Sequence, residues 1–477
     1  MLDWDALQEA LQTALLEAVS AKAGGPWRVA ALDQVYAETD GIITAPSLFL
    51  NDSGEHLDSL PDWGEGIHDW APERWIEALT AEACSGTVSH WEDIFARYRN
   101  VLVRISVAAG AHLGIPVFCV DHDRYEETLA CCLTLSQLRS LFPDVVARQA
   151  ERARVSALPP GEQVTYYVSR LNRFDGLVDS EEAQKALRGF GSAAIPALLA
   201  VLRGPEHPWL AAILLFEIGV PDDTVVSALS DAVAASAPDS PAQLWSCRAL
   251  AQLNRLDIVL ARASDLSDEA LVTAATARYT AFRDHGARPL PLDYLPLEEF
   301  LSEHETLVPA VADELKPGTS YCVISSAEVP EALRGTNSTY VLVRKHAVCV
   351  LGERRLGDAV GHAVIPHLRT IAAMDPDSEV RRLAGLSLKW VEGGALNSQA
   401  LRNWQRNAAL ERMPSYFLTC VMFSELVKEL AGDGSGESEC HDEPITITPL
   451  SVNTERRAMS MGGALESKKC MRMAGKL

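Results

Sequence analysis

Apolar residues return about every fourth position at the start of the chain, at Leu2, Leu7, Leu11, Leu15 and Val19, with polar residues between them. That spacing predicts one amphipathic helix over residues 2–22, stopped by Gly24-Gly25-Pro26. The pattern then changes. Residues 27–34, Gly41-Ile42-Ile43 and Ser47-Leu48-Phe49-Leu50 are rich in strand formers and predict two or three strands, closed by the turn Asn51-Asp52-Ser53-Gly54. Further on, Trp70-Ala71-Pro72-Glu73-Arg74-Trp75 predicts a helix entered through Pro72, and residues 91–113 a longer one. Ile115-Pro116-Val117-Phe118-Cys119-Val120 reads as a short buried strand, and a helical run follows to about Leu141. Together these elements predict an α+β domain over residues 1–155.

From about residue 160 the periodicity is helical throughout. Around Gly189 to Pro196 one helix ends at glycine and the next opens with an Ile-Pro step, and Val364-Ile365-Pro366 repeats that grammar. Val-Arg-x-x-Ala-x-x-x-Leu occurs twice, starting at Val343 and at Val380, a shift of 37 residues. The pattern resembles HEAT repeats, in which paired helices stack into a solenoid of roughly 40-residue units. The small alanine lets the paired helix approach, and proline in a first turn forfeits no hydrogen bond. The resemblance carries residues 338–392 and, more loosely, 180–255, while Pro289, Pro291 and Pro296 interrupt the stretch between; a helical bundle is the alternative. The fold class expected is mainly α: a small N-terminal α+β domain over 1–155, a HEAT-like α-solenoid over 160–432 that includes helices across 397–430, and a disordered tail over 433–477. That tail opens with the acidic linker Asp433-Gly434-Ser435-Gly436-Glu437-Ser438-Glu439.

Composition narrows the function. Hydrophobic residues make up 48% and charged residues 22% of the 477, a globular balance. Lys and Arg number 42 against 65 Asp and Glu, a net charge of −23. A nucleic-acid surface needs a basic stripe and an anionic membrane a polybasic segment, and the main body offers neither, so neither partner is expected. Acidity by itself serves solubility, and it also steers basic proteins. Ten cysteines without a CxxC fit reduced thiols, with Cys119, Cys247 and Cys349 inside apolar runs as small core residues. No basic stretch leads into an apolar one at the N-terminus, and no uninterrupted apolar run reaches roughly 18 residues, so a cytoplasmic protein is expected.

The sequence holds no GxxxxGK[ST], GxSxG or HExxH, and the expectation is a non-enzyme without cofactor or metal. Asp121-His122-Asp123 has the residues of a cation loop but no third ligand at a fixed spacing, and reads as a turn. His346, His362 and His367 read as solvated or capping histidines, Cys84 with His90 as an ordinary thiol, and Cys131-Cys132 as thiols on different helix faces. The segment with most promise holds Trp63, Trp70 and Trp75 among Asp58, Asp62, Glu65, Asp69 and Glu73. Aromatic anchors framed by carboxylates suit a cationic protein partner, so Trp63, Asp69, Trp70, Glu73 and Trp75 form the candidate partner-binding set. The simpler reading is that the tryptophans cap the domain core.

Residues 2–22, the stretch from Val35-Tyr36 onward and the Trp70-Ala71-Pro72-Glu73-Arg74-Trp75 step resemble a bacterial family of unknown function found in toxin and contact-inhibition loci. The resemblance covers under a third of the chain. It implies an immunity protein that neutralises a cognate effector, one delivered for instance by a type VI secretion system. The alternatives are a scaffold or adaptor for such an effector and a HEAT-like lyase or modifying enzyme.

Overall fold

The computed structural model describes residues 2–391 apart from 23, 24, 26, 35–40, 54–59, 65, 87, 354, 355 and 357. The helices expected over 397–430 and the tail over 433–477 lie outside the described residues. The described chain is mainly α-helical, with one small three-stranded sheet. It divides into two compact units. One holds Met1–Ala153, Tyr279–Ala281 and the described residues from Pro291 on; the other holds Arg154–Arg278 and Phe282–Leu290.

The first unit opens with helix Trp4–Ala21, capped by the Asp3 carboxylate, which accepts from Ala6 N at 3.1 Å. Leu7, Leu11, Leu15 and Val19 are its buried stripe, at the spacing read from sequence. Strands β1 (Val29–Gln34), β2 (Ser47–Asn51) and β3 (Val117–Asp121) form the sheet in the order β2-β1-β3. β1 runs antiparallel to β2, with Leu32 opposite Leu48, and parallel to β3, with Leu32 opposite Cys119. Every residue of β3 is buried, because helices Val88–Leu113 and Tyr125–Cys132 pack on it.

Of the two or three strands expected before residue 54 two form, and one other expectation needs correction. Gly41-Ile42-Ile43 is not a strand: the Thr80 hydroxyl stands 3.1 Å from Ile43 N and 3.2 Å from Ile43 O, serving both backbone groups as a strand neighbour would. The helical run toward Leu141 breaks after Cys132, since Thr134 and Gln137 form a capping box that starts a new helix at Leu135.

The later part of this unit contains helices Leu295–Glu303, Val308–Glu314, Val329–Gly335, Val341–Val350, Asp358–Met374 and Ser378–Val391. Val341–Val350 and Asp358–Met374 both pack on Ser378–Val391. Of the twice-occurring motif, Val343, Ala347, Leu351, Val380 and Ala384 are buried, as the helix-face reading requires. Its two arginines meet at one turn: Arg344 grips the Asp375 carboxylate at 3.0 and 3.2 Å, and Arg381 donates to the Asp375 carbonyl at 2.6 Å. Ile365-Pro366 does not open a helix, for Pro366 lies inside Asp358–Met374. Val364 and Leu368 are both fully buried, so the apolar stripe runs on across the proline and packing outweighs the hydrogen bond it forfeits.

His346 is neither solvated nor a cap. It is wholly buried, with Nδ1 2.6 Å from Tyr294 Oη and Nε2 2.9 Å from the Tyr279 carbonyl, and Tyr279 stacks on Tyr294 at 5.6 Å. His367 is exposed.

The second unit is a succession of helices: Pro160–Ser169, Ser180–Phe190, Ile195–Arg203, Pro208–Ile218, Asp223–Ala235, Pro241–Gln252, Leu256–Leu260 and Asp268–Thr276. Each packs against the next helix, the next but one, or both. Ile195-Pro196 opens its helix as expected. Residues Ser180–Arg203 are, on average, long and apolar enough to cross a bilayer, although no uninterrupted apolar run is. Gly191, at a φ of 57°, breaks the stretch into two helices that turn Ala183, Leu187, Leu198 and Leu202 inward.

Candidate functional site

The five residues singled out from sequence all stand on the N-terminal part of the first unit, just before and within helix Glu73–Ala83. They are not equivalent. Trp70 is a core residue, 7% exposed, and its indole Nε1 donates to the Pro46 carbonyl at 2.6 Å. Trp63 and Trp75 are half-buried, while Asp69 and Glu73 are exposed. Trp63 meets Phe118 edge to face at 6.2 Å, and the Arg74 guanidinium lies 5.7 Å from the Trp75 ring centre. Trp75 Nε1 is covered yet has no acceptor, whereas the Trp70 donor is satisfied.

The charge around these residues is one-sided. Between Asp52 and Asp93 the chain places eleven carboxylates against a single cationic residue, Arg74. Over residues 1–153 there are 24 Asp and Glu against 10 Lys and Arg, so this third of the chain carries most of the net charge.

Beside Trp63 lies a cleft of about 120 Å³, lined by Lys22, Trp27, Leu48, Leu50, Trp63 and Ile67. Apart from Trp63, these residues escaped the reading of the sequence. Leu48 and Leu50 share one face of β2 by its two-residue period, and the fold brings Trp27 and Ile67 to it.

A row of polar groups spans the sheet at the carboxyl end of β1. His68 Nδ1 lies 2.8 Å from Ser47 Oγ, Ser47 stands opposite Asp33, and Asp33 Oδ1 accepts from His122 Nε2 at 2.9 Å. That bond raises the His122 imidazole above its ordinary value, against partial burial. Asp121 serves the turn: its Oδ1 accepts from Asp123 N at 3.0 Å and Arg124 N at 3.3 Å, and its Oδ2 takes Arg99 at 3.0 Å. Among the described residues no cluster of three or more His, Cys, Asp or Glu is placed to hold a metal.

In the second unit Glu217, 4% exposed, sits in the otherwise apolar helix Pro208–Ile218 and takes Arg188 Nη1 at 2.9 Å, with His285 Nδ1 at 3.7 Å. A lone acid in an apolar run was a readable sign of an internal ion pair, and the sequence reading missed it. The buried thiols are unreactive by environment: burial pushes Cys132 up to about 11 and Cys247 up to about 12.

The chain matches no protein-family model, and no characterised protein matches it.

Proposed function

We propose that this protein works by binding another protein, and that its partner is a basic bacterial effector which it neutralises by covering it. The observation that carries this reading is the segment from Asp52 to Asp93, where exposed Asp69 and Glu73 stand in sequence between the half-buried Trp63 and Trp75 in a run of eleven carboxylates and one arginine. Rim charges of one sign accelerate encounter with an oppositely charged partner, and tryptophans supply the apolar area that holds it.

The helices of the second unit support a HEAT-like repeat reading, because their principal packing, on the next helix and the next but one, is what a stacked solenoid uses. The paired motifs at Val343 and Val380 support it independently, since both send an arginine to the turn at Asp375. Repeats of this kind present long surfaces without needing a reactive centre. We place the protein in the cytoplasm, where its thiols stay reduced.

The test is genetic and then biophysical. Proteins encoded beside this one are expressed alone and together with it. The reading expects one that arrests growth alone and is tolerated in its company, and whose protection is lost when Asp69→Lys and Glu73→Lys are combined in a protein that still folds. A neighbour that binds without being toxic makes this an adaptor instead. Protection that survives the charge reversal removes the acidic segment from the interface.

A further inference from the structure

We propose that the cleft beside Trp63 is a ligand site for a small apolar carboxylic acid, one ring in size, with its ring against the Trp27 and Trp63 indoles and its carboxylate at Lys22. The site stands apart from the protein-binding reading above, since it rests only on the residues that line the cleft.

The cleft is preformed. Leu48 and Leu50, two residues apart on β2 and therefore on one face of the sheet, are 0% and 8% exposed and give it a fixed floor. Ile67 exchanges two backbone hydrogen bonds with Leu48, at 2.8 and 2.9 Å, and Trp63 is braced edge-on by the buried ring of Phe118. The backbone just after Trp27 is tied to the end of β2, where Arg28 N donates to the Asn51 carbonyl at 2.8 Å. A site whose walls are already in place loses little freedom when a ligand enters.

Size decides what fits. A dry cavity of about 150 Å³ takes up benzene, so this cleft of about 120 Å³ holds one ring or a branched alkyl group, and nothing as large as a nucleotide. The lining decides the chemistry. Five of the six lining residues are apolar or indole, and Lys22, exposed at the rim, carries the only charge; no Asp or Glu lines the cleft. Among the described residues no carboxylate pairs with the Lys22 ammonium. A cationic guest could use the indole faces, but it would meet that ammonium at the same rim. An acid meets attraction there instead, strengthened by the apolar wall on one side, and its carboxylate keeps most of its hydration while the ring is buried.

The experiment uses the full-length protein labelled with 5-fluorotryptophan and followed by fluorine NMR, its Trp27 and Trp63 resonances assigned by Trp→Phe substitution. The probes are phenylacetate and its neutral isostere phenylacetamide, each titrated to millimolar concentration. Phenylacetate is expected to shift the Trp27 and Trp63 signals saturably and to bind about threefold more tightly than the amide, the factor an exposed ion pair supplies. Lys22→Gln, an exposed change that leaves the walls intact, should bring the acid down to the affinity of the amide. Ile67→Trp should abolish binding of both by filling the cleft. No saturable shift from phenylacetate, or shifts confined to the other tryptophans, overturns the site whatever becomes of the variants. Equal affinity of acid and amide for the wild-type protein, or an acid affinity that Lys22→Gln leaves unchanged, overturns the choice of an acid as its ligand. Dissociation of a homodimer on adding phenylacetate would show a second copy as the occupant and overturn it too.

Discussion

Tyr294 Oη lies 2.6 Å from Nδ1 of His346, a histidine with no access to water. A carbonyl can only accept, so the 2.9 Å contact from Nε2 to the Tyr279 carbonyl requires a proton on Nε2. In the neutral imidazole Nδ1 then holds a lone pair, and the Tyr294 hydroxyl donates to it. Burial pushes the Tyr294 phenol well above its usual range, which keeps that proton in place. Tyr294→Phe leaves Nδ1 without a donor in a dry site and should cost about 1–3 kcal/mol in denaturant unfolding. Nitrogen NMR should report the Nε2–H tautomer in the wild-type protein; a charged imidazole there would refute the assignment.

Tryptophans five positions apart should answer the same substitution differently. Trp70→Phe strands the Pro46 carbonyl in the core and should destabilise by about 1–3 kcal/mol. Trp75→Phe removes a donor that has no acceptor, and its cost should be a small fraction of that. Thermal or denaturant unfolding of the pair decides; equal losses would mean that ring volume, and not the hydrogen bond, governs both sites.

Glycine-to-alanine changes at Gly335 and Gly385 should have opposite signs. A Cβ on Gly335 would lie 2.4 Å from the ring of Tyr294, which cannot yield because it is stacked on Tyr279. Gly385, in helix Ser378–Val391, has nothing within 4 Å of such a Cβ. Gly385→Ala should stabilise by about 1 kcal/mol through helix propensity, and Gly335→Ala should lower the midpoint of unfolding.

The bond from His122 to Asp33 makes a small part of the stability depend on pH. Because it raises the folded imidazole above the unfolded value of about 6.5, its contribution is whole below that pH and is lost as the pH rises through the folded value. His122 is largely exposed, so NMR titration is a better readout than unfolding. Asp33→Asn should move the His122 titration to lower pH; an unmoved midpoint would show that the bond does not persist in solution.

Much of the local architecture was legible in the residues themselves. The four-residue spacing from Leu7 to Val19, the apolar run at 117–120 and the Val-Arg-x-x-Ala motifs each name their element, because helices and strands bury side chains with fixed and different periods. The acid-rich tryptophan segment was legible too, since charge and aromatic content need no fold to be counted. What the sequence could not decide was which partner each group would find. Ile43 left the sheet because a threonine hydroxyl thirty-seven residues away satisfied its backbone. His346 went into the core because two tyrosines far from it in sequence supplied its hydrogen bonds, and a polar side chain is buried only where such partners converge. Trp70 and Trp75 look alike in the sequence, yet only tertiary packing gave one an acceptor and left the other without, and only it gathered Trp27, Leu48, Leu50, Trp63 and Ile67 around one cleft. Periodicity is a property of neighbours along the chain, while satisfaction and cavity shape belong to neighbours in space.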